Sequence, residues 1–201
     1  MATGDYCELA DVREHVGIGD SDTTRDLLIL SLITSVSRAI DRECRRQFYA
    51  TAETRYFDFK DAYQLWLDKD LISLTTLTNG DGNTLTAGTD FYLWPYSGPP
   101  YRRLDIARDV GNVFQWSGSA QRAISIAGSW GYASTTPESV KRACILWVAD
   151  YVSRQGDEGV SEFTINDGGT MRVKYMEQIA AAPPPTVDML IRPFKFVEVM
   201  A

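Results

Sequence analysis

The amino-acid sequence predicts an α+β fold: a small helical bundle with a β-rich middle insertion and an extended C-terminal hairpin and tail. Apolar residues recur at helical spacing in one short and two long stretches, which predicts a short helix and two long amphipathic helices. Short aromatic and β-branched runs, separated by turn residues, fill about 54–128. We therefore expect a helical core with this insertion over 1–155, followed by a hairpin and partner-docking tail over 156–201.

Composition limits the classes of protein to consider. Of 201 residues, 44% are hydrophobic and 23% charged, which is the balance of a globular protein with a packed core. No apolar run reaches the roughly 18 residues that a membrane span requires, so no membrane association is expected. The start, "MATGDYCELADV", predicts no signal peptide because it is neither basic nor apolar. The net charge of −7 argues against tight binding to duplex DNA, which favours a basic excess.

The cysteines indicate a reducing environment. Cys7, Cys44 and Cys144 are an odd number, far apart in the sequence, and form no CxxC motif. We expect reduced thiols in a protein assembled in a cytosol. Two of them lie on predicted apolar helix faces, where a free cysteine behaves as a small hydrophobic residue.

Two helices are predicted before the β-rich region. The first covers about Glu8 to Val16 and ends at the glycines of "GIGD". The second follows Ser21 or Asp22 as its N-cap residue. Its predicted buried face has a 3.6-residue repeat and consists of Leu28, Ile29, Leu32, Ile33, Val36, Ala39, Ile40 and Cys44.

The middle of the chain predicts six short strands. They are "RYFDF", "YQLWL", "LISLTTLT", "DFYLW", "NVFQW" and "AISIA". The strongest turn signal is "TNGDGN" at Thr78–Asn83, where two glycines supply positive φ angles. A second break is predicted at "YSGPPY", Tyr96–Tyr101.

A third helix and a tail complete the chain. Thr136 is the expected N-cap residue, with Pro137 in the first helical position. The main apolar face is Val140, Ala143, Cys144, Trp147, Val148 and Tyr151. Beyond "RQGDEG", the segment "EFTINDGGTMRVKY" predicts a hairpin; it is followed by the spacer "AAAPPP", a short helix "TVDMLIRP" and the alternating end "FKFVEVM".

The residues predict no catalytic, cofactor or metal site. The single histidine, His15, is expected to be an ordinary helix residue, and one histidine with three scattered cysteines lacks the spacing of a zinc site. The GxSxG, HExxH and phosphate-loop motifs are absent from the sequence. Turn chemistry accounts for the oxygen-bearing residues Asp81, Asn83, Thr89 and Asp90 better than calcium binding does. We expect no enzyme activity and no cofactor.

Two groups of apolar residues exceed what the predicted helices need. The first lies off the main helix faces and is the candidate subunit interface: Leu27, Leu30, Ile145, Leu146 and Val152. A helix that is apolar all round either lies centrally in a core or packs against another chain, and both readings stay open. The second is the candidate docking tail: Val187, Leu190, Ile191, Phe194, Phe196 and Val199. Such a tail adds a strand or helix to a partner, or folds back on its own domain.

Aromatic and basic residues also allow two readings each. The group Phe91, Tyr92, Trp94, Tyr96 and Tyr101 is typical of a sheet face packed on helices or on another subunit, and the alternative is a sugar-stacking platform. The arginines Arg38, Arg42, Arg45 and Arg46 favour ion pairs between subunits over contacts with phosphate.

Taken in order, four stretches resemble the head–tail connector, or adaptor, family of long-tailed bacteriophages and related particles. They are the helix–loop–helix opening that starts "YCELADVREHVGIGD", the region "LISLTTLTNGDGNTLTAGTDFYLWP", the strand, corner and helix of "ISIAGSWGYASTTPESVKRACILWVADYV", and the turn "TVDMLIRPFKF". The sequence departs from the family pattern in its longer corner, "AGSWGY", and in its long middle insertion.

The resemblance implies a structural role in the virion neck. It implies a helical bundle with a β-rich extension, assembled in the cytoplasm of the host bacterium as a homo-oligomeric twelvefold ring beneath the portal protein. The ring would lengthen the DNA channel, let double-stranded DNA pass without specific binding, and meet the stopper or tail-completion protein, while C-terminal segments embrace the portal. Two alternatives are a neck stopper or tail-completion protein and a tail-associated carbohydrate-binding module.

Overall fold

The computed structural model describes residues 4–19, 21–157 and 182–196, and these fall into two compact units. The helical unit combines residues up to Arg45 with those from Thr136 onward, and the sheet unit runs from Arg46 to Thr135. The described helices are α1 (Leu9–Val16), α2 (Asp26–Cys44), α3 (Glu138–Asp157) and α4 (Pro185–Ile191). The described strands are β1 (Thr51–Phe57), β2 (Gln64–Thr78), β3 (Thr84–Leu85), β4 (Phe91–Trp94), β5 (Tyr101–Ile106) and β6 (Ile124–Trp130).

The predicted apolar face of α2 is observed, but the helix begins later than expected. Seven of the eight predicted residues are buried, and Leu28 is half-buried. The Asp22 side chain accepts a hydrogen bond from the backbone N–H of Thr24, 3.0 Å away, and so holds a turn that precedes the helix. Because that carboxylate is used in the turn, Arg25 takes the N-cap position and α2 starts at Asp26.

Helix α3 is the central element of the helical unit. It contacts α1, α2 and α4, which explains why it is apolar on nearly every side. Its buried residues are Val140, Ala143, Cys144, Ile145, Trp147, Val148, Ala149, Tyr151 and Val152. Helix α4 buries Val187 and Ile191 in the same unit and continues into a 3-10 turn at Arg192–Phe194.

The sheet unit contains a six-stranded antiparallel sheet among its described residues. The strand order is β1-β6-β2-β5-β4, with β3 paired to the end of β2. Strand β2 is long enough to pair with β5 through its first half and with β6 through its second. The core of this unit consists of twelve buried residues: Leu65, Leu67, Leu71, Leu77, Leu85, Phe91, Leu104, Ile106, Phe114, Ile124, Ile126 and Trp130.

Several predicted strands are rearranged. The segments predicted as "YQLWL" and "LISLTTLT" form the single strand β2, because the charged residues between them are also extended. Of these charged residues, Asp68 and Lys69 are exposed to solvent, whereas Asp70 is buried and pairs with two arginines. "YRRLDI" forms β5, although its start was predicted to be a break. "NVFQW" is irregular, and the buried side chain of Asn79 binds its backbone at Val113 and Gln115.

The predicted fold class is therefore wrong. The structure is a mixed α+β fold with four described helices and a six-stranded antiparallel sheet, not a helical bundle built on two long amphipathic helices. The prediction failed for two reasons. The β region is not an appendage, since it has its own core and forms one of the two compact units. Helix α3 is buried on most sides, so it lacks a polar face along much of its length.

The C-terminal hairpin predicted at "EFTINDGGTMRVKY" lies outside the described residues, as does Val199 of the predicted docking tail. The short helix predicted from "TVDMLIRP" is α4 with its 3-10 turn.

Candidate functional site

The described residues bring together no set of metal ligands. They contain no cluster of three or more histidine, cysteine, aspartate or glutamate side chains that could hold an ion. His15 is exposed on α1. None of the described helices is long and apolar enough to cross a membrane.

The carboxylates of Asp81 and Asp90, the oxygen-bearing residues weighed for calcium binding, accept hydrogen bonds within turns. Asp81 accepts a backbone hydrogen bond from Asn83 at 3.0 Å, and this bond contributes most to lowering the pKa of Asp81 below its usual value. Asp90 accepts hydrogen bonds from the backbone of Thr86 and the side chain of Asn112, at 2.7 and 2.9 Å. These interactions agree with the turn interpretation.

The most distinctive surface in the sheet unit is an aromatic one. The ladder pairs Trp66 of β2 with Arg103 of β5, and Arg103 with Trp94 of β4. A second row lies two positions further along β4 and β5, where Tyr92 is opposite Asp105. Because side chains on one face recur every second residue, these two rows lie on the same side of the sheet. The leucines between them face the core.

The three residues of the first row contact one another. The Arg103 guanidinium lies 5.1 Å from the ring centroid of Trp66 and 4.9 Å from that of Trp94. Arg103 also donates a hydrogen bond of 2.8 Å to Asp105. These contacts hold the cation and both indole rings in a defined arrangement.

This surface remains open in the single chain. Trp66 is 55% exposed, and Tyr92, Trp94 and Tyr96 are also exposed. Tyr96 lies edge-to-face on Tyr92, with ring centroids 6.5 Å apart. We call Trp66, Tyr92, Trp94, Tyr96 and Arg103 the aromatic face. Its residue types are those that dominate the binding energy of protein interfaces.

Only part of the aromatic face was predicted from the sequence. Tyr92, Trp94 and Tyr96 were in the predicted aromatic group, whereas Phe91 of that group is buried in the core. Trp66 and Arg103 were missed because "YRRLDI" was not recognised as a strand. The sequence does contain a strand signal here: the last four residues of this segment, Arg103–Ile106, alternate between charged and apolar side chains.

The structure distributes the candidate subunit-interface residues unevenly. Leu27 is 85% exposed, and Leu30 and Leu146 are half-buried. Ile145 and Val152 are only 7% and 1% exposed. Their burial follows from the central position of α3, so they offer little area to a second chain. The subunit interface itself stays a prediction.

The candidate docking tail also contains both buried and partly exposed residues. Val187 and Ile191 anchor α4 in the helical unit, whereas Leu190, Phe194 and Phe196 are half-buried. The backbone of Phe196 donates a hydrogen bond of 2.9 Å to the Cys44 carbonyl. Lys195 bonds to Asp188 at 2.8 Å. The segment up to Phe196 therefore folds onto its own unit while leaving part of its apolar surface uncovered.

Arg38 and Arg46, both expected in contacts between subunits, have partners within the chain. Arg38 pairs with Asp41 at 3.3 Å, and Arg46 pairs with Asp70 at 3.7 Å. Arg46 also lies over the ring of Tyr132, 5.1 Å from its centroid.

The fold is similar to that of a solved structure over the whole length of the chain. That structure is a chain from the neck of an empty GTA particle, a phage-like gene transfer agent, computed with C6 symmetry. The match covers 100% of this chain and 94% of that chain, with a TM-score of 0.58 and 15% sequence identity. No protein-family model matches the sequence, and no curated protein matches it significantly. The chain thus has the fold of a protein from the neck of a phage-like particle.

Proposed function

We propose that this chain is a head-to-tail adaptor in the neck of a tailed phage or phage-like particle. It forms a ring under the portal protein, extends the DNA channel and connects to the stopper or tail. The observation that carries the proposal is the fold shared from end to end with a neck chain. The order of the four sequence motifs supports it independently.

A ring needs a heterologous interface, in which one surface of each copy meets a different surface of the next. The C6 symmetry of the neighbouring neck supports such an assembly. The proposed number of twelve copies in the ring comes from the family resemblance. A twelvefold ring is compatible with a structure computed with C6 symmetry, because two neighbouring copies then form the repeating unit. We propose that the aromatic face and Leu27 supply contacts in this ring, because both are exposed apolar surfaces on folded units.

The proposed contact with the portal uses the C-terminal segment. Helix α4 fixes the start of this segment, and Met189, which is exposed, extends the uncovered apolar surface. Many such segments in one ring would act together, so weak individual contacts suffice for stable docking. The net charge of −7 suits a channel through which DNA passes without being held. The proposed role requires no catalysis.

Imaging of the assembled particle tests the adaptor role. Density for this chain should form a closed ring between the capsid and the tail, and particles produced without the chain should yield heads that lack attached tails. A position elsewhere in the particle, or normal tail attachment without the chain, would refute the proposal. A place below the portal-contacting ring would instead identify a stopper or tail-completion protein.

The aromatic face supports one candidate from another class, a carbohydrate-binding module, since sugars stack on exposed indole and phenol rings. A glycan array distinguishes the two. Binding by the wild-type chain that is lost in Trp94→Ala would favour the module, whereas the adaptor proposal predicts no glycan signal from either protein.

A further inference from the structure

Two of the three cysteines lie in contact inside the helical unit. The Sγ atoms of Cys7 and Cys144 are 3.4 Å apart, although 137 positions separate the residues in the sequence. Both side chains are buried and both are free thiols. Cys44 is also buried, but its sulfur faces the Ile191 carbonyl oxygen, at 3.9 Å.

The contact between the thiols is held by the surrounding structure. The backbone N–H of Tyr6 donates to the Ser37 hydroxyl on α2, at 3.1 Å, and the same oxygen lies 3.6 Å from Cys144 Sγ. The Tyr6 hydroxyl is hydrogen-bonded to Asp41, also on α2. These bonds hold the segment before α1 against α2, and the contact between Ser37 and Cys144 brings α3 to the same place, so Cys7 lies against Cys144.

We propose that Cys7 and Cys144 are a specific oxidative modification site, at which a small disulfide compound such as oxidised glutathione converts the two thiols into one intramolecular disulfide. Closing a gap of 3.4 Å to a sulfur–sulfur bond of about 2.05 Å requires only a small movement. The inference concerns the helical unit alone and does not depend on the proposed function.

The reaction balances as two thiol–disulfide exchanges. The Cys7 thiolate attacks one sulfur of oxidised glutathione, which forms a mixed disulfide and releases one glutathione. The Cys144 thiolate then attacks the Cys7 sulfur of the mixed disulfide and releases the second glutathione. The two protons lost by the protein thiols end on the two released glutathione thiols, and the protein is oxidised by two electrons.

Cys7 reacts first because it lies on the segment before α1, which can lift without unfolding α3. In the closed state the contact with Cys144 and burial raise the pKa of Cys7 well above the usual range of a thiol. The thiolate is therefore scarce until the segment opens, and the rate of reaction follows that opening. After bond formation the segment is covalently tied to α3.

Peptide mapping after oxidation tests the site. The folded full-length chain is incubated with oxidised glutathione, its remaining thiols are alkylated, and trypsin digestion without reductant follows. We expect one cross-linked pair, Met1–Arg13 with Ala143–Arg154, and alkylation only on Glu43–Arg45. A pair that contains Cys44, stable glutathione adducts in place of a cross-link, or three alkylated thiols would overturn the proposal.

Two variants sharpen the test. Cys144→Ser should trap the mixed disulfide on Cys7, whereas Cys44→Ser should form the cross-link as wild type does. Thermal melting of the unmodified sequence provides a readout without mutation: the oxidised chain should melt at least about 4 °C higher, and reductant should reverse the shift, because the bond closes a long loop. No reversible shift in melting temperature together with no mapped cross-link would contradict the inference.

Discussion

Trp66 and Trp94 lie side by side on the exposed side of the sheet, with ring centroids 6.4 Å apart and planes inclined at 62°. They come from β2 and β4, which do not pair with each other, and the Arg103 side chain of the intervening strand β5 contacts both rings. The sheet thus builds an ordered indole pair that the single chain leaves open. Such a pre-organised surface loses little side-chain entropy when a partner binds.

Replacing both tryptophans tests whether this surface joins subunits. In Trp66→Ser with Trp94→Ser, we expect incorporation into particle necks to fall at least tenfold, because an interface anchor contributes about 2 kcal/mol or more. Incorporation is measured by quantifying the chain in purified particles. The matched control is Trp116→Ser, an exposed tryptophan of the same unit outside the aromatic face. Equal incorporation of the folded double variant and the control would exclude the aromatic face as an essential contact.

Leu27 provides a second test of subunit contact, on the helical unit. Because its side chain is 85% exposed, Leu27→Asp should change the free energy of unfolding by less than about 0.5 kcal/mol while lowering neck incorporation. Ile29→Ala, two residues along the same helix, removes a fully buried side chain and should cost about 2–5 kcal/mol. Denaturant titration measures both. Unchanged incorporation of Leu27→Asp would remove Leu27 from the interface.

Two truncations separate folding from docking at the C-terminus. A chain ending at Phe196 keeps α4 and should retain wild-type stability of the helical unit, while binding to portal-bearing capsids weakens if residues beyond 196 contact the portal. A chain ending at Ala182 loses the buried Val187 and Ile191 and should be destabilised by several kcal/mol. Co-sedimentation and thermal melting measure the two effects. Full capsid binding by the chain ending at Phe196 would confine any docking role to the residues before that point.

Gly131, in the corner after β6, is predicted to be intolerant of any side chain. Its φ angle is +141°, and an added Cβ would lie closer than 3.0 Å to the Tyr49 carbonyl oxygen. Strain and collision act together, so Gly131→Ala should destabilise the sheet unit by about 2–4 kcal/mol. Gly88→Ala is the matched control, with φ +80° but open space around the added atom, and should cost about 1 kcal/mol. Equal costs in urea titration would show that the collision is relieved by movement of the backbone.

The buried carboxyl of Asp70 should make stability depend on pH. Asp70 is 4% exposed, and burial raises its pKa even though Arg46 and Arg102 lie 3.7 and 3.5 Å away and act to lower it. A raised pKa in the folded state means that the folded state binds the proton more tightly than the unfolded state. The contribution of Asp70 to stability is therefore present below the ordinary aspartate pKa of about 3.9 and lost as pH rises through the higher folded value.

The variant Asp70→Asn isolates the pH dependence of stability that comes from Asp70, because every other titratable group is present in both proteins. The free energy of unfolding of wild type minus that of Asp70→Asn should fall as pH rises from about 3.5 to 7. Urea unfolding at a series of pH values measures it. A difference that grows with pH would show that attraction to the two arginines outweighs the cost of burial.

Local patterns in the sequence determined several features of this protein. The buried face of α2 follows from the 3.6-residue repeat of its apolar residues, and the end of α1 follows from Gly17, the first glycine of "GIGD", whose φ angle is +76°. The turn after β2 follows from "TNGDGN", whose residues form their own hydrogen bonds. In each case the interactions that define the structure join residues close together in the chain, so one sequence is enough to find them.

Tertiary structure alone decided the rest. The burial of Ile145 and Val152 depends on three helices that surround α3, and the continuity of β2 depends on arginines from other segments that pair with Asp70. The aromatic face depends on the register of three strands, which brings Trp66, Arg103 and Trp94 into one row. These features arise from contacts between residues distant in sequence, and such contacts leave no periodic pattern in the segments that form them. The sequence alone therefore determined the helices and the turn after β2, whereas packing determined the extent of the strands and which surfaces stay open to a partner.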